Sequence, residues 1–182
     1  MKTDLSKFNN DWYQPGNIVK RALWYFFNNM FLLNPYNPFG GLKRLVLRMF
    51  GAKIGKGVVI KQRVNIKYPW KLEIGDHTWI GEGVWIDNLG EVKIGSNCCI
   101  SQGALLLCGN HNYKKSTFDL MVGNITLEDG VWIGAKCFVT GGVYCHSHSL
   151  LAAGSVTHKN LEAYHIYQGN PAVKVRERVI ED

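Results

Sequence analysis

The chain has 182 residues, 46% of them hydrophobic and 19% charged, enough apolar content to bury one core and too much for a disordered or fibrous chain. Its formal net charge of +7 is uneven, because residues 1–50 hold seven Lys or Arg against two acids. Five cysteines, Cys98, Cys99, Cys108, Cys137 and Cys145, form an odd set with no CxxC pair, which argues against a disulfide framework or a structural zinc site and for a reducing cytoplasm.

The chain opens MKTDLSKFNN, with no apolar signal core, and the apolar stretch 18–33 is broken by Lys20, Arg21, Asn28 and Asn29. Neither export nor a membrane span is expected. Residues 17–50 predict two helices, interrupted at Asn34-Pro35 and between Pro38 and Gly41, where proline and glycine end helical structure. This segment is basic and carries Trp24, Tyr25, Phe26, Phe27 and Phe31. Such a composition caps the end of a solenoid or makes a contact surface for an anionic membrane or nucleic acid; capping is the favoured reading, and no nucleic-acid partner is expected.

From residue 54 a six-residue spacing takes over. Aliphatic residues recur at Ile54, Ile60 and Ile66, at Ile74, Ile80 and Ile86, at Ile94, Ile100 and Leu106, and at Leu127, Ile133 and Val139, with Cys145 and Leu151 continuing the register. A second compact residue follows four positions later, as at Val58, Val64, Thr78, Val84, Cys98, Ala104, Val131, Cys137 and Val143. Each unit therefore supplies two inward side chains and one corner, and three units close a triangular coil. A meander of antiparallel strands would instead alternate with period two between turns every eight to twelve residues. The openings IGKG, IGDH and IGSN place the first coils twenty residues apart. Aligning Leu72-Glu73, Val92-Lys93 and Ile125-Thr126 as coil starts makes the third coil thirteen residues longer than its neighbours. The surplus is a protruding loop over 108–124, CGNHNYKKSTFDLMVGN, which contains His111; loops on rigid scaffolds concentrate function.

Beyond the loop the register resumes, departing at Tyr144-Cys145-His146-Ser147-His148-Ser149, where His146 and His148 read as polar corner residues. The expected organisation is a helical cap over 1–50, a β-helix over 51–170 and a tail over 171–182.

Several segments, among them LRMFGAKIGKGV, YPWKLEIGDHTWIGEGVWIDNLGEVKIG, ISQGALLLCGNHNY, VWIGAKCFV, AAGSVTHKNL and YQGNPAVKVRER, resemble the hexapeptide-repeat acyltransferases. The likeness is greatest to the O-acetyltransferases of colanic-acid and other surface-polysaccharide biosynthesis. It implies an all-β solenoid, a left-handed parallel β-helix, although parallel crossovers are otherwise right-handed. It also implies a cytoplasmic homotrimer with active sites between neighbouring copies, acetyl-CoA as the acyl donor and no metal. The acceptor implied is a sugar hydroxyl, free or on a lipid-linked saccharide; relatives that acetylate galactosides, maltose, nodulation oligosaccharides or antibiotics share the loop and tail.

Moving an acetyl group from a thioester to a hydroxyl requires a base, donors for the developing oxyanion and alignment of both substrates. Imidazole, with an unperturbed pKa of about 6.5, suits the first task. His111 stands where the family places its catalytic histidine, and its second ring nitrogen is expected to be held by a backbone carbonyl or a carboxylate. Gly134, Ala135 and Ala153 match positions whose main chain lines the pantetheine arm. His158, Lys159 and Arg176 match contacts to the outer cofactor, with Lys174 and Arg178 as helpers and residues 169–172 as the turn closing the groove. Asp87 and Asn88 are candidates for acceptor binding, and equally for plain corners; Gly81 replaces an Asn of galactoside-type relatives.

Other readings compete. A zinc enzyme of the γ-carbonic anhydrase kind, which shares the fold, carries two His five residues apart, and Ser116 stands five after His111. Covalent catalysis through Cys108 requires its thiol to converge on His111. The remaining alternatives are a xenobiotic or other small-molecule acetyltransferase, and a non-catalytic scaffold recruited to the inner face of the membrane through the basic aromatic N-terminus.

Overall fold

The computed structural model describes residues 2–181. Short strands stack into three parallel sheets, the faces of a triangular prism. The first face holds Lys53–Ile54, Leu72–Ile74, Val92–Ile94, Ile125–Leu127 and Tyr144–Cys145. The second begins at Val59–Ile60 and ends at His165–Gly169; the third runs from Asn65–Ile66 through Trp85–Asp87, Leu105–Leu107 and Phe138–Thr140 to Val156–Thr157. Register is set by like residues stacking on like: Ile54 on Ile74 on Ile94 on Leu127 on Cys145, Ile60 on Ile80 on Ile100 on Ile133 on Leu151, and Ile66 on Ile86 on Leu106 on Val139 on Thr157. All the inward residues foreseen by the six-residue spacing are buried. No single coil buries its apolar edge alone, so the column exists only through stacking.

Corners turn because one residue adopts the left-handed conformation. Glycines serve at 57, 83, 103, 130, 142 and 154, and side-chain-bearing residues at Arg63, His77, Asn97, Lys136 and His148. Strand pairing confirms the coil lengths: Lys53 pairs with Glu73 and Glu73 with Lys93, then Lys93 pairs with Thr126 across the insertion.

Helix α1 (Ile18–Phe27) begins on Asn17, whose side chain accepts from the amides of Val19 and Lys20, and runs into a π-helical turn, Asn28–Leu32. Helix α2 (Gly40–Met49) follows the predicted Pro/Gly interruption and lies across the open end of the prism. The first coil has carbonyls with no coil below them, and the N-terminal segment supplies their donors. Arg48 binds the Ile54 carbonyl at 2.7 Å, Arg44 that of Val58 at 2.7 Å, Lys43 that of Lys61 at 2.7 Å, and the Trp24 indole that of Ile66 at 2.8 Å. Each face is thereby capped, which resolves the exposed edge that an open solenoid presents. Three of the seven N-terminal cations thus serve the cap.

The expected boundary at residue 170 is corrected. Strand Ala172–Glu177 pairs antiparallel with His165–Gly169 and extends the second face, so the break falls at the turn of a hairpin and not between a helix and a free tail. No helix among the described residues is long and apolar enough to cross a membrane.

Candidate active site

The insertion in the third coil is a β-hairpin. Gly109–His111 pairs antiparallel with Leu120–Val122, placing His111 opposite Leu120 at its outer end. The tip is tied by Asp119, which accepts from Thr117 and forms an ion pair of 2.7 Å with Lys115; its carbonyl also accepts from the Asn112 amide at 2.8 Å.

His111 is half-buried and held on two sides. Its Nδ1 lies 2.9 Å from the Phe118 carbonyl oxygen. A carbonyl can only accept, so the contact assigns a proton to Nδ1, and in the neutral imidazole the lone pair is then on Nε2. The Phe118 ring stacks on the imidazole, centroids 4.3 Å apart and planes 7° off parallel. Phe118 itself has φ +52°, a left-handed conformation that costs a bulky residue about 1–2 kcal/mol, and it is this turn that aims the carbonyl back at the ring. From the other direction Phe8 stands 5.7 Å from His111, and the Asp4 amide binds the Ser116 carbonyl at 2.8 Å. The first residues of the chain therefore brace the loop. Neither Phe118 nor Phe8 was foreseen; an aromatic residue isolated in the polar stretch KSTFD was the available signal.

Cys108, three residues before His111, is buried. Burial pushes its thiol up to about 11, so it is no ready nucleophile. At the base of the hairpin a cleft of about 230 Å³ opens among Leu107, Asn110, Met121 and Gly141.

Asn88 does not fit acceptor binding, and this expectation is corrected. The side chain is fully buried, accepts from the Tyr68 amide at 2.9 Å and donates to the Tyr68 carbonyl at 2.6 Å. It is a bracket between two coils, one position along from a residue that behaves differently. Asp87 is buried but faces a cavity; Lys67 stands 2.9 Å from its Oδ1, at an angle that makes no hydrogen bond.

On the second face, the corners at Ala135 and Ala153 differ from the first-face corners. There, side chains cap the turn amides, as Asp76 does for Lys56 and Asp129 for Ser96. Alanine offers no such oxygen, and among the described residues neither the Ala135 nor the Ala153 amide donates a hydrogen bond. Gly134 is buried where an added Cβ would meet the backbone of Ala153 and Leu151 at 2.6–2.7 Å, so its part is close stacking of coils. His158, Lys159 and Arg176 are exposed cationic or titratable groups, Arg176 on the terminal hairpin opposite Ile166. Lys174 is paired with Glu162 at 2.9 Å and Arg178 with the carbonyls of Gly130 and His148, so both suggested helpers are engaged within the chain. His146 and His148 are corner residues: His146 lies 3.6 Å from Glu128, and His148 stacks on Tyr164.

No family model matches the sequence. The chain is 38% identical over 178 residues to the colanic acid biosynthesis acetyltransferase WcaF of Escherichia coli K12, covering 97% of each protein. The chain belongs to the hexapeptide-repeat acetyltransferases. Among solved structures, a maltose O-acetyltransferase from Clostridium difficile 630 superposes with TM-score 0.82 at 16% identity, covering 94% of this chain and 91% of that one. A hexapeptide-repeat acetyltransferase from Vibrio cholerae, solved with acetyl coenzyme A, superposes with TM-score 0.80 at 19% identity over 89% and 88%. At such identities the structures carry the fold and no more. The acetyltransferase is thus an acyl-transfer enzyme on a β-helix, with the winding of its family.

Proposed function

We propose that this acetyltransferase moves an acetyl group from acetyl-CoA to a hydroxyl of a sugar or polysaccharide precursor, with His111 as general base. The observation that carries the reading is the Nδ1 contact to Phe118, which in the neutral imidazole leaves the Nε2 lone pair available on the protruding hairpin. His111 takes the hydroxyl proton as the oxygen attacks the thioester carbonyl; the carbon–sulfur bond breaks, and the imidazolium returns the proton to the departing thiolate. Direct transfer needs no covalent enzyme intermediate, in keeping with the buried thiol of Cys108.

The chain's own groups match the chemistry of the donor. The free amides of Ala135 and Ala153 suit the amide oxygens of a pantetheine arm, with Gly134 allowing the coils to approach. His158, Lys159 and Arg176 suit its phosphates. Asp87 is retained as an acceptor contact. The exposed aromatic residues Trp79 and Trp132 on the second face, and Trp85 and Phe138 on the third, form apolar rows that call for a partner; a homotrimer would cover them and bring a second copy to each His111. Exposed Ile18, Val19, Leu23 and Phe26 on α1, beside Lys20, support a peripheral contact of the cytoplasmic enzyme with the membrane that carries a lipid-linked acceptor.

The test is thiol release from acetyl-CoA against a panel of free and lipid-linked saccharides. His111→Ala is expected to lose at least about a hundredfold in kcat while still binding coenzyme A. Equal rates in the two proteins would remove His111 from the mechanism; an inert wild type that binds vesicles would favour the scaffold reading.

A further inference from the structure

The polar groups left without partners converge on one place. Among the described residues, four buried side-chain nitrogen or oxygen atoms have no hydrogen-bond partner, and three of them, Arg21 Nε, Asn28 Oδ1 and Asp87 Oδ1, line a single cavity of about 440 Å³ between α1 and the third face. Such atoms are rare in folded proteins because each forfeits about 1–3 kcal/mol. Asn28 is 6% and Asp87 7% exposed, so neither oxygen is open to bulk solvent, and Asp87 has only the Lys67 ammonium beside it. The Asn28 amide nitrogen is already committed to Asn65 Oδ1 at 2.8 Å, which fixes the orientation of the free oxygen. Arg21 forms no salt bridge among the described residues.

Local structure holds this set in place. Asn28 opens the π-helical turn Asn28–Leu32, a distortion that frequently marks functional positions in helices. Trp24, one turn earlier, pins α1 to the Ile66 carbonyl. Tyr25 and Tyr68 contribute aromatic walls. The position relative to His111 is also defined: Asp87 pairs with Leu107, and the hairpin carrying His111 leaves that strand at Gly109. The cavity therefore lies one coil away from the root of the candidate catalytic loop, on the same face.

We propose that this cavity is a subsite for a glycosyl unit of the acceptor. The Asn28 oxygen, the Asp87 oxygen with only the Lys67 ammonium beside it at 2.9 Å, and the Arg21 Nε donor suit a ligand that both gives and takes hydrogen bonds, and a sugar hydroxyl does both. The aromatic walls suit the apolar C–H face of a pyranose ring, and the volume is that of a small-molecule site. A fatty chain would leave the three polar atoms unsatisfied. Binding a unit away from the reacting hydroxyl orients the acceptor and concentrates it at the site. The inference rests on a saccharide being the acceptor, and its test is independent of His111.

Calorimetric titration of the full chain with neutral and uronic-acid di- and trisaccharides reads the site directly. Saturable binding is expected, unchanged in His111→Ala and weakened at least about tenfold in Arg21→Gln, in Asp87→Asn and in Tyr25→Ala. Tyr25 is an exposed side chain, so the last variant keeps the proposal testable if the buried ones fail to fold. In turnover, the same variants are expected to raise KM for the saccharide at least about tenfold and leave KM for acetyl-CoA unchanged. Absence of binding by every saccharide, binding indifferent to these substitutions, or equal binding of inorganic phosphate alone would overturn the assignment. So would weakened binding with an unchanged saccharide KM. Loss of activity in His111→Ala with binding retained would separate the two proposals.

Discussion

At the scale of single residues, His111 owes its tautomer and direction to Phe118, which acts through both its carbonyl and its ring. The two roles separate by mutation. Phe118→Ala retains the carbonyl 2.9 Å from Nδ1 but removes the stacked ring. An aromatic pair contributes about 0.5–1.5 kcal/mol beyond burial, so kcat is expected to fall about threefold to tenfold while KM for acetyl-CoA holds; steady-state kinetics would check it, and an unchanged kcat would mean that the carbonyl alone suffices. His111 was legible in the sequence because an insertion interrupts a strict repeat around it. Its partners were not, since the contact to Phe118 depends on a left-handed backbone turn that no spacing announces. Asn88 shows the converse case: a polar residue beside a corner reads equally as a ligand contact or a structural residue, and only the structure shows its amide spent on Tyr68.

At the scale of elements, each strand is too short to be stable alone, and the corners connect neighbours through side chains. Glu128 joins two coils: Tyr144 donates to its Oε1 at 2.6 Å, and the Ser147 hydroxyl and amide donate to its Oε2 at 2.7 Å. These hydrogen bonds pull its carboxyl from 4.5 down to about 2. A depressed carboxylate contributes stability that is complete above its unfolded value and lost as pH falls through the folded one. The melting temperature of the wild type is therefore expected to drop more steeply than that of Glu128→Gln between pH 4.5 and about 2, as measured by thermal unfolding at stepped pH; parallel curves would show the link to be unimportant. The aliphatic column is tested separately. Ile100 is fully buried with Ile80 and Ile133 stacked on either side, and Ile100→Ala is expected to cost about 2–5 kcal/mol in denaturant unfolding.

At the scale of the whole molecule, the decisive problem is the solenoid's open end. Lys43 is completely buried, yet its ammonium reaches the Lys61 carbonyl at 2.7 Å, and burial lowers its pKa. Lys43→Met keeps the stem and removes the donor, leaving a carbonyl unpaired; a loss of about 1–3 kcal/mol is expected in equilibrium unfolding. Light scattering of the intact enzyme tests the assembly: three chains per particle are expected, and a monomer at micromolar concentration would leave the exposed aromatic rows without the partner proposed for them.

The six-residue spacing by itself determined the prism, its inward residues and the place of the insertion, because a stacked coil admits only two side chains per face and repeats that demand every turn. The tertiary structure alone decided how the N-terminal cations are used, what holds His111, and where unpaired polar atoms gather. Those outcomes join residues distant in sequence, such as Trp24 with Ile66 or Asn28 with Asn65, and depend on how a helix with no repeat of its own settles against the end and third face of the column.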